Sequence, residues 1–503
     1  MYFFLLLWYY NMTKTYSTQY LTQLIARFIT SYPHQVLRSQ APSWQCIAEK
    51  KREEIVKITL LTPQSAMYRK HGIFSKALRY APLTMTTLAA LVPEELNAEI
   101  RIVDEGVEEL NIETIDADIV GITCITANSP RVYELSRKLR EMGITVVIGG
   151  VHPTLVPDEA QPHADAIVVG YAEQSWPQLL RDFAAGKMQP RYSEGPGYRF
   201  ANVPEPRRDL LKKEGYITIN TVQAVRGCPY KCNFCVVPVA WPGYLHRPVR
   251  EVIHEIERLE GDSFLFLDLS PIEDPVYIKQ LYRELAPLKK RWGGLATIRI
   301  ARDREMLKLA AQSGCGGLLI GLESISPATI KQMRKGFNKP EQYSEAVKII
   351  HDHGIAINGC FVFGLDGDDK GIFERTVEFV NKAAIDLPRF SIATPFPGTP
   401  LYQQLNAQGR ILIRDWTYYG GQNVVFQPQN MTVKELQDGV QWAWRQVYSF
   451  PSIVRRVAGS VASRSGLVLK TSLLANIGYT KYARMLPDYV PVPCEVEPWR
   501  SQP

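Results

Sequence analysis

The chain is 503 residues long, too long for one typical core, so two or three domains are expected. Its 46% hydrophobic and 22% charged residues are those of an ordinary soluble globular protein, which excludes disordered, collagen-like and low-complexity chains. A net charge of +7 is modest for this size and gives no argument for a nucleic-acid partner.

The chain opens on "MYFFLLLWYYNM", whose apolar run of about ten residues falls short of the roughly 20 needed to span a bilayer. It has neither the basic start nor the small-residue cleavage site of a signal peptide. A mistaken translation start with Met12 as the true beginning fits these features, so residues 1–11 carry no weight in the fold and 1–53 are read as an N-terminal extension. Residues 54–190 then alternate strand-like and helix-like patterns. The strands are "EIVKITLL" (54–61), "EIRIVD" (99–104), "ADIVGITC" (117–124), "TVVIGG" (145–150) and "AIVVG" (166–170), and in "SPRVYELSRKLREMG" (129–143) Val132, Leu135 and Leu139 recur at helical spacing. Such alternation predicts a doubly wound, Rossmann-like parallel sheet. Residues 191–213, with several Pro and Gly and no clean period, read as a linker.

A second alternation fills 214–425. Its strands are expected at 216–225, 263–269, 295–300, 316–324, 355–365 and 389–396, and its helices at 249–260, 276–292, 304–314, 340–354 and 371–383. Six βα units predict a partial (βα)6, TIM-like barrel, with its chemistry at the C-terminal strand ends. The fold class is therefore α/β, closing on a helical C-terminal region, 426–503. There "TVKELQDGVQWAWRQVYSF" has helical amphipathicity, and 451–490 carries Arg455, Arg456, Arg464, Lys470, Lys481 and Arg484 against the single acid Asp488. With Trp442, Trp444 and many Leu and Val, this region reads either as a helical cap over the barrel mouth or as a peripheral contact with an anionic membrane.

Of eight cysteines only Cys228, Cys232 and Cys235 cluster, in "RGCPYKCNFC" directly after the first barrel strand. No secretory signal precedes them, so a cytoplasmic, reducing setting and a metal site are the better inference than a disulfide scaffold. Structural zinc wants four ligands, and His246 and His254 fall at no familiar zinc spacing. A redox pair Cys232–Cys235 leaves Cys228 unexplained. An iron–sulfur cubane held by three thiolates, with one iron left open, accounts for all three, and flanking Arg226 and Lys231 would offset its negative charge.

At these residues the chain resembles the radical S-adenosylmethionine (radical SAM) superfamily: "CPYKCNFC" matches CxxxCxΦC with Phe234 as the aromatic, and the resemblance spans about 214–400. It implies a [4Fe–4S] cluster on the three cysteines, whose open iron chelates SAM and whose electron releases a 5′-deoxyadenosyl radical. It further implies that Glu323, in "GGLLIGLES", meets the ribose or amino group of SAM, and that Arg299 meets its carboxylate or ribose. "TPFPGTPLY" (394–402) resembles the segment that closes over adenine. The second strand end, "FLDLSPIED", departs from the usual amino-binding pattern. Asp268 is its one remaining acid, with Glu273 and Asp274 in the loop beyond.

Upstream, "VVIGGVHPTLVPDEA" sets Gly149 and Gly150 after a strand, where backbone can approach a ligand closely. With the barrel motif behind it, residues 54–190 resemble the cobalamin (vitamin B12)-binding domain of one radical SAM class. The DxHxxG fingerprint is absent, and His152 is the only histidine in the relevant loops, read as a corrin contact or as a loop-ordering residue.

Both cofactors together imply methyl transfer to an unactivated carbon of a small-molecule or lipid-like substrate, with a reductant such as flavodoxin or ferredoxin and no nucleic acid. The alternatives are a radical oxidative cyclase or rearrangement enzyme and, in another class, a non-catalytic metal-binding recognition protein.

Overall fold

Short Ile- and Val-rich runs become strands because branched side chains pack well on a pleated surface covered from both sides. The computed structural model describes residues 55–64, 79–195, 197–460, 476, 479, 480 and 483. The extension through residue 53 and four of the basic residues expected at a membrane (Arg464, Lys470, Lys481, Arg484) lie outside the described residues.

The first sheet comprises β1 (Lys57–Thr62), β2 (Glu99–Asp104), β3 (Ile119–Thr123), β4 (Thr145–Gly149), β5 (Ala166–Val169) and β6 (Arg191–Ser193). All pairings are parallel, in the order β2-β1-β3-β4-β5-β6. One face packs Ile58, Leu60, Val147 and Val168 against Trp176, with α1 (Leu83–Ala90) beside it. The other packs Leu61, Val120, Ile122 and Ile148 against Val132, Leu135 and Leu139 of α2 (Ser129–Glu141). The strand β6 lies in the stretch read as linker. It is three residues long with only Tyr192 buried, so it makes no apolar run. The chain leaves β1 toward β2 on one side and returns to β3 on the other, which opens a crevice beyond the carboxyl ends of the strands. Two short elements line its far side, α3 (Val151–Leu155) after β4 and α4 (Ser175–Ala184) after β5.

The second sheet runs β14-β13-β12-β11-β10-β7, again six parallel strands and not a closed barrel. Its first strand, β7 (Thr221–Val222), is far shorter than the expected 216–225. The backbone N–H groups of Ala224 and Val225 both go to the Asp268 carboxylate, each at 2.7 Å, so the chain leaves the ladder there. It then forms an antiparallel pair, β8 (Val225–Gly227) with β9 (Tyr244–His246). After α5 (Val249–Arg258) come β10 (Ser263–Phe266), α6 (Pro275–Leu285), β11 (Arg291–Ala296), α7 (Arg304–Gln312) and β12 (Cys315–Glu323). The expected helix 276–292 stops at Leu285, because Pro287 and a left-handed Lys289 (φ 52°) turn the chain into β11. The end of the strand expected at 295–300 is instead a 3-10 turn, Ile298–Arg302.

Then follow α8 (Pro327–Gln332), α9 (Tyr343–Asp352), β13 (Ala356–Phe363), α10 (Ile372–Lys382), β14 (Leu387–Ile392), α11 (Val433–Val447) and α12 (Phe450–Ser460). The helix α11, started by a Thr432–Glu435 capping box, packs against β14 and α10. There Trp444 Nε1 donates to Phe390 O at 3.1 Å and the Tyr448 hydroxyl to Pro388 O at 2.7 Å. An open barrel leaves its last strand with carbonyls to satisfy, and these two side chains do so. Among the described residues no helix is long and apolar enough to cross a membrane.

Candidate functional site

The cysteine loop is held shut at its base by the β8–β9 pair, in which Gly227 faces Tyr244. Gly227 has φ 75°, and a Cβ there would meet the Gly243 carbonyl oxygen at 2.1 Å. Only glycine fits. From this base the chain delivers Cys228, Cys232 and Cys235, of which Cys232 is buried and the others half-buried. Between the last two, Asn233 donates its backbone N–H to Met333 O (3.1 Å) and its side chain to Gln332 O (3.0 Å), while its carbonyl accepts from Leu401 N (2.9 Å). The loop is thus bolted to the turn after α8 and to the 394–402 segment. Phe234 packs into the barrel core and fixes Cys235 beside it.

Burial holds all three thiols above the ordinary range, Cys232 to about 12, while Lys335 works against it at each. Each of Cys232 and Cys235 also feels the charge of its fellow cysteines, so the three share one small space. Three thiols with no fourth ligand among them are the donor set that an iron–sulfur cubane with one open iron takes.

Around the loop stand the ends of the barrel strands. Glu323 ends β12 in the left-handed region (φ 66°), and its carboxylate folds back over Gly321. It accepts from Lys335 Nζ at 2.5 Å, both groups buried. In the turn after β11, Arg299 donates to Glu273 Oε2 at 2.5 Å and to the hydroxyl of Tyr230, which lies within the cysteine loop. Tyr230 itself donates to Glu273 (2.5 Å) and stacks on Phe337 at 4.0 Å. The Glu273 side chain is only 3% exposed and also accepts from Thr297 at 2.9 Å. Burial pushes its carboxyl up, against the pull of the Thr297 and Ser270 hydroxyls.

Tyr230 and Lys335 stand beside the loop although the motif reading passed them over, and Glu273, noted there only as a loop acid, joins them. Asp268 is 1% exposed, and its carboxylate accepts the two N–H groups that lead into β8. Burial outweighs those bonds and raises it to about 7. The flanking cations are also reassigned. Lys231 is exposed, and the Arg226 guanidinium turns to the N-terminal domain, where it pairs with Glu173, donates to Tyr198 at 3.0 Å and stacks on Phe200 at 4.1 Å.

A cavity of about 420 Å³ lies between the two sheets. On one wall are Gly121, Thr123, Gly149, Gly150 and Gly170 at the carboxyl ends of β3, β4 and β5. On the other are Gln223, Arg226, Gly227, Trp241, Leu267 and Leu269 of the barrel rim. Gly150 has φ 110°, and a Cβ there would meet Cys124 O at 2.7 Å, so the loop packs backbone on backbone. The Tyr171 hydroxyl and Glu173 Oε2, from residues lining the same cavity, are buried with no hydrogen-bond partner. Buried acceptors without donors are rare in a finished fold and mark a place where a polar ligand edge belongs.

His152 does not line this cavity. The first turn of α3 carries it inward, fully buried, where its ring nitrogens meet Tyr133 (3.0 Å), Glu159 (3.3 Å) and Thr126 (3.4 Å). Trp416, from the loops beyond β14, donates to the same Glu159 oxygen at 2.8 Å. Through Glu159 these contacts tie the His152 loop to the seam between domains.

The family model described as radical SAM superfamily matches residues 222–380, and that of the B12 binding domain matches residues 77–180. Two curated relatives come from Chlorobaculum tepidum. The chain is 32% identical over 360 residues to bacteriochlorophyllide d C-12(1)-methyltransferase, covering 68% of this chain and 77% of the relative. It is 30% identical over 397 residues to bacteriochlorophyllide d C-8(2)-methyltransferase, covering 74% and 87%. Its fold is shared with the radical S-adenosylmethionine methyltransferase TsrM from Kitasatospora setae, solved with cobalamin and a [4Fe-4S] cluster bound. That match has a TM-score of 0.61 at 16% identity over 86% of this chain and 100% of the other.

Proposed function

The chain belongs to the radical SAM superfamily, in the branch that joins it to a B12-binding domain, and from that membership we propose a cobalamin-dependent methyltransferase acting on an unactivated carbon of a hydrophobic small molecule. The observation that carries the reading is a cavity between the domains: the Gly149–Gly150 loop forms one wall, and Gly227, next to Cys228, stands on the other. Two chemistries that must meet at one substrate carbon are thereby placed face to face.

Cys228, Cys232 and Cys235 would hold the cluster, three thiolates being the donor set that leaves one iron of four open. The interdomain cavity would receive the corrin, with Tyr171 and Glu173 offering acceptors to its peripheral amides. When bound, cluster and SAM supply a carbon-centred radical and the corrin supplies the methyl group. The chain's own residues do the rest. Phe234 and Asn233 fix the cysteine loop. Glu323 and Arg299, at neighbouring strand ends, receive the amino and the carboxylate or ribose ends of SAM. Leu83, Met85, Leu88, Trp241, Leu267 and Leu269 keep the cavity apolar, which excludes water from a radical reaction.

The thiols stay reduced in the cytoplasm, where a low-potential carrier such as flavodoxin or ferredoxin provides the electron. A peripheral membrane contact is supported by Phe450 (80% exposed), Val454 and Trp442, with exposed Arg445 and Arg455 beside them. Arg456, by contrast, is buried on Asn381 and Val447 and belongs to the packing of α12. Flotation with anionic vesicles at low salt, lost at high salt, is the expected result.

Anaerobic reconstitution tests the enzyme reading. Iron near four per chain, bound cobalt, and formation of S-adenosylhomocysteine alongside 5′-deoxyadenosine are expected. 5′-Deoxyadenosine alone would indicate a cyclase or rearrangement enzyme, and a colourless zinc protein would indicate a recognition module.

A further inference from the structure

With Arg226 and Lys231 turned elsewhere, the positive charge at the cysteine loop comes from a residue outside the motif. Lys335 sits in the turn after α8, and the side chain and N–H of Asn233 anchor that turn to the cysteine loop through Gln332 O and Met333 O. Lys335 N bonds Ile330 O (3.1 Å), while the Asn338 side chain bonds Gly321 O and Leu322 O (3.0 Å each), so the turn is also locked to the end of β12. The Lys335 ammonium is therefore delivered to a fixed place: buried, 2.5 Å from Glu323 Oε1, and 5.6 Å from the centre of the Phe337 ring.

A buried ammonium is costly unless paired and usefully placed. Here it has one carboxylate partner, and the Phe337 ring beside it stacks on Tyr230 of the cysteine loop at 4.0 Å. The buried Glu323–Lys335 pair thus stands against the cysteine loop.

We propose that Lys335 is the positioning residue that sets the reduction potential of the iron–sulfur cluster, by holding a fixed cation against the negative charge that the cluster gains when it takes up one electron. The inference rests on the assignment of Cys228, Cys232 and Cys235 as cluster ligands. One electron enters from an external low-potential reductant, dithionite in the test, and one negative charge is added at the cluster; no bond is made or broken. A fixed cation nearby favours the reduced form, and the neighbouring carboxylate of Glu323 partly masks it.

The test is a potentiometric titration followed by EPR on the full chain, reconstituted anaerobically and without SAM. Lys335→Gln is expected to lower the ratio of reduced to oxidised cluster at a given potential about tenfold, a shift of about 59 mV for one electron. Lys335→Arg keeps the charge and should titrate with the wild type. Glu323→Gln unmasks the ammonium and should move the midpoint the opposite way. Equal midpoints in Lys335→Gln and wild type, or shifts of the same sign in Lys335→Gln and Glu323→Gln, would overturn the proposal. If Lys335→Gln fails to hold iron, Glu323→Gln carries the test, and no upward shift in it overturns the role. A wild-type protein that binds iron but gives no cluster signal would instead refute the cluster assignment.

Discussion

Asp268 and Glu273 are two acids five positions apart that the barrel uses in opposite ways. Asp268 is spent on backbone, taking the N–H groups of Ala224 and Val225 and bending the chain into the hairpin that presents the cysteines. Glu273 faces the loop and gathers Tyr230, Arg299 and Thr297. The folded state holds the Asp268 proton up to about pH 7, against about 3.9 for an unfolded aspartate. The native chain therefore binds more protons than the unfolded chain between about pH 4 and 7, and its stability falls as pH rises through that window, by up to about 1.4 kcal/mol per unit, then levels off. Asp268→Asn keeps the accepting oxygen and carries no charge to bury. Its melting temperature relative to wild type should rise from pH 5 to 7 and stay constant above. A difference independent of pH would show that Asp268 is ionised throughout.

At the scale of elements, the open barrel depends on what covers its last strand. Trp444 is 2% exposed, donates to Phe390 O and stacks with Tyr448 and Tyr479. Trp444→Phe keeps most of the apolar area but leaves that carbonyl without its donor, for an expected loss of about 1–3 kcal/mol. Trp444→Ala also opens a cavity and should lose about 3–5 kcal/mol, both read by urea unfolding. Elements of this kind were only partly legible in the sequence. Long apolar runs such as "GGLLIGLES" and "IAINGCFVFGL" gave their strands within a few residues, because burial on both faces leaves a continuous signal. The strands β6 and β7 were missed or overextended, since two or three residues carry no period and Asp268 ends β7 from 46 positions downstream of Val222. In the site, the three cysteines were legible because they are neighbours in sequence. Tyr230 with Arg299 and Asn233 with Gln332 were not, being 69 and 99 positions apart and joined only by the order of strands. The partners of His152 were not legible either, because a helical turn begins one residue before it and turns its ring to Tyr133, Glu159 and Thr126, which two glycines in a row do not reveal.

For the whole molecule, the decisive feature is the seam that turns two α/β units into one reaction chamber. Of the contacts that cross it, two bear on the chamber. One joins His152 and Glu159 to Trp416; the other joins Glu173 to Arg226, two residues before the first cysteine. The guanidinium of Arg226 is nearly enclosed, sandwiched on Phe200 and hydrogen-bonded by Tyr198, so the pair sits in low dielectric beside the cavity. Breaking such a pair from one side strands a buried charge, at about 3–5 kcal/mol, whereas replacing both members with apolar groups of similar size is often close to neutral. Arg226→Met and Glu173→Leu should therefore each destabilise strongly, and the double variant should be far more stable than their sum implies. Stability alone would follow from any buried pair. The chamber reading adds that Glu173→Leu, with or without Arg226→Met, removes an acceptor from the cavity wall and so weakens hydroxocobalamin binding, followed by absorbance, while Arg226→Met alone leaves that acceptor in place. If all three variants bind the corrin as the wild type does, the Glu173 wall has no part in holding it, and the orphaned oxygen serves the seam instead.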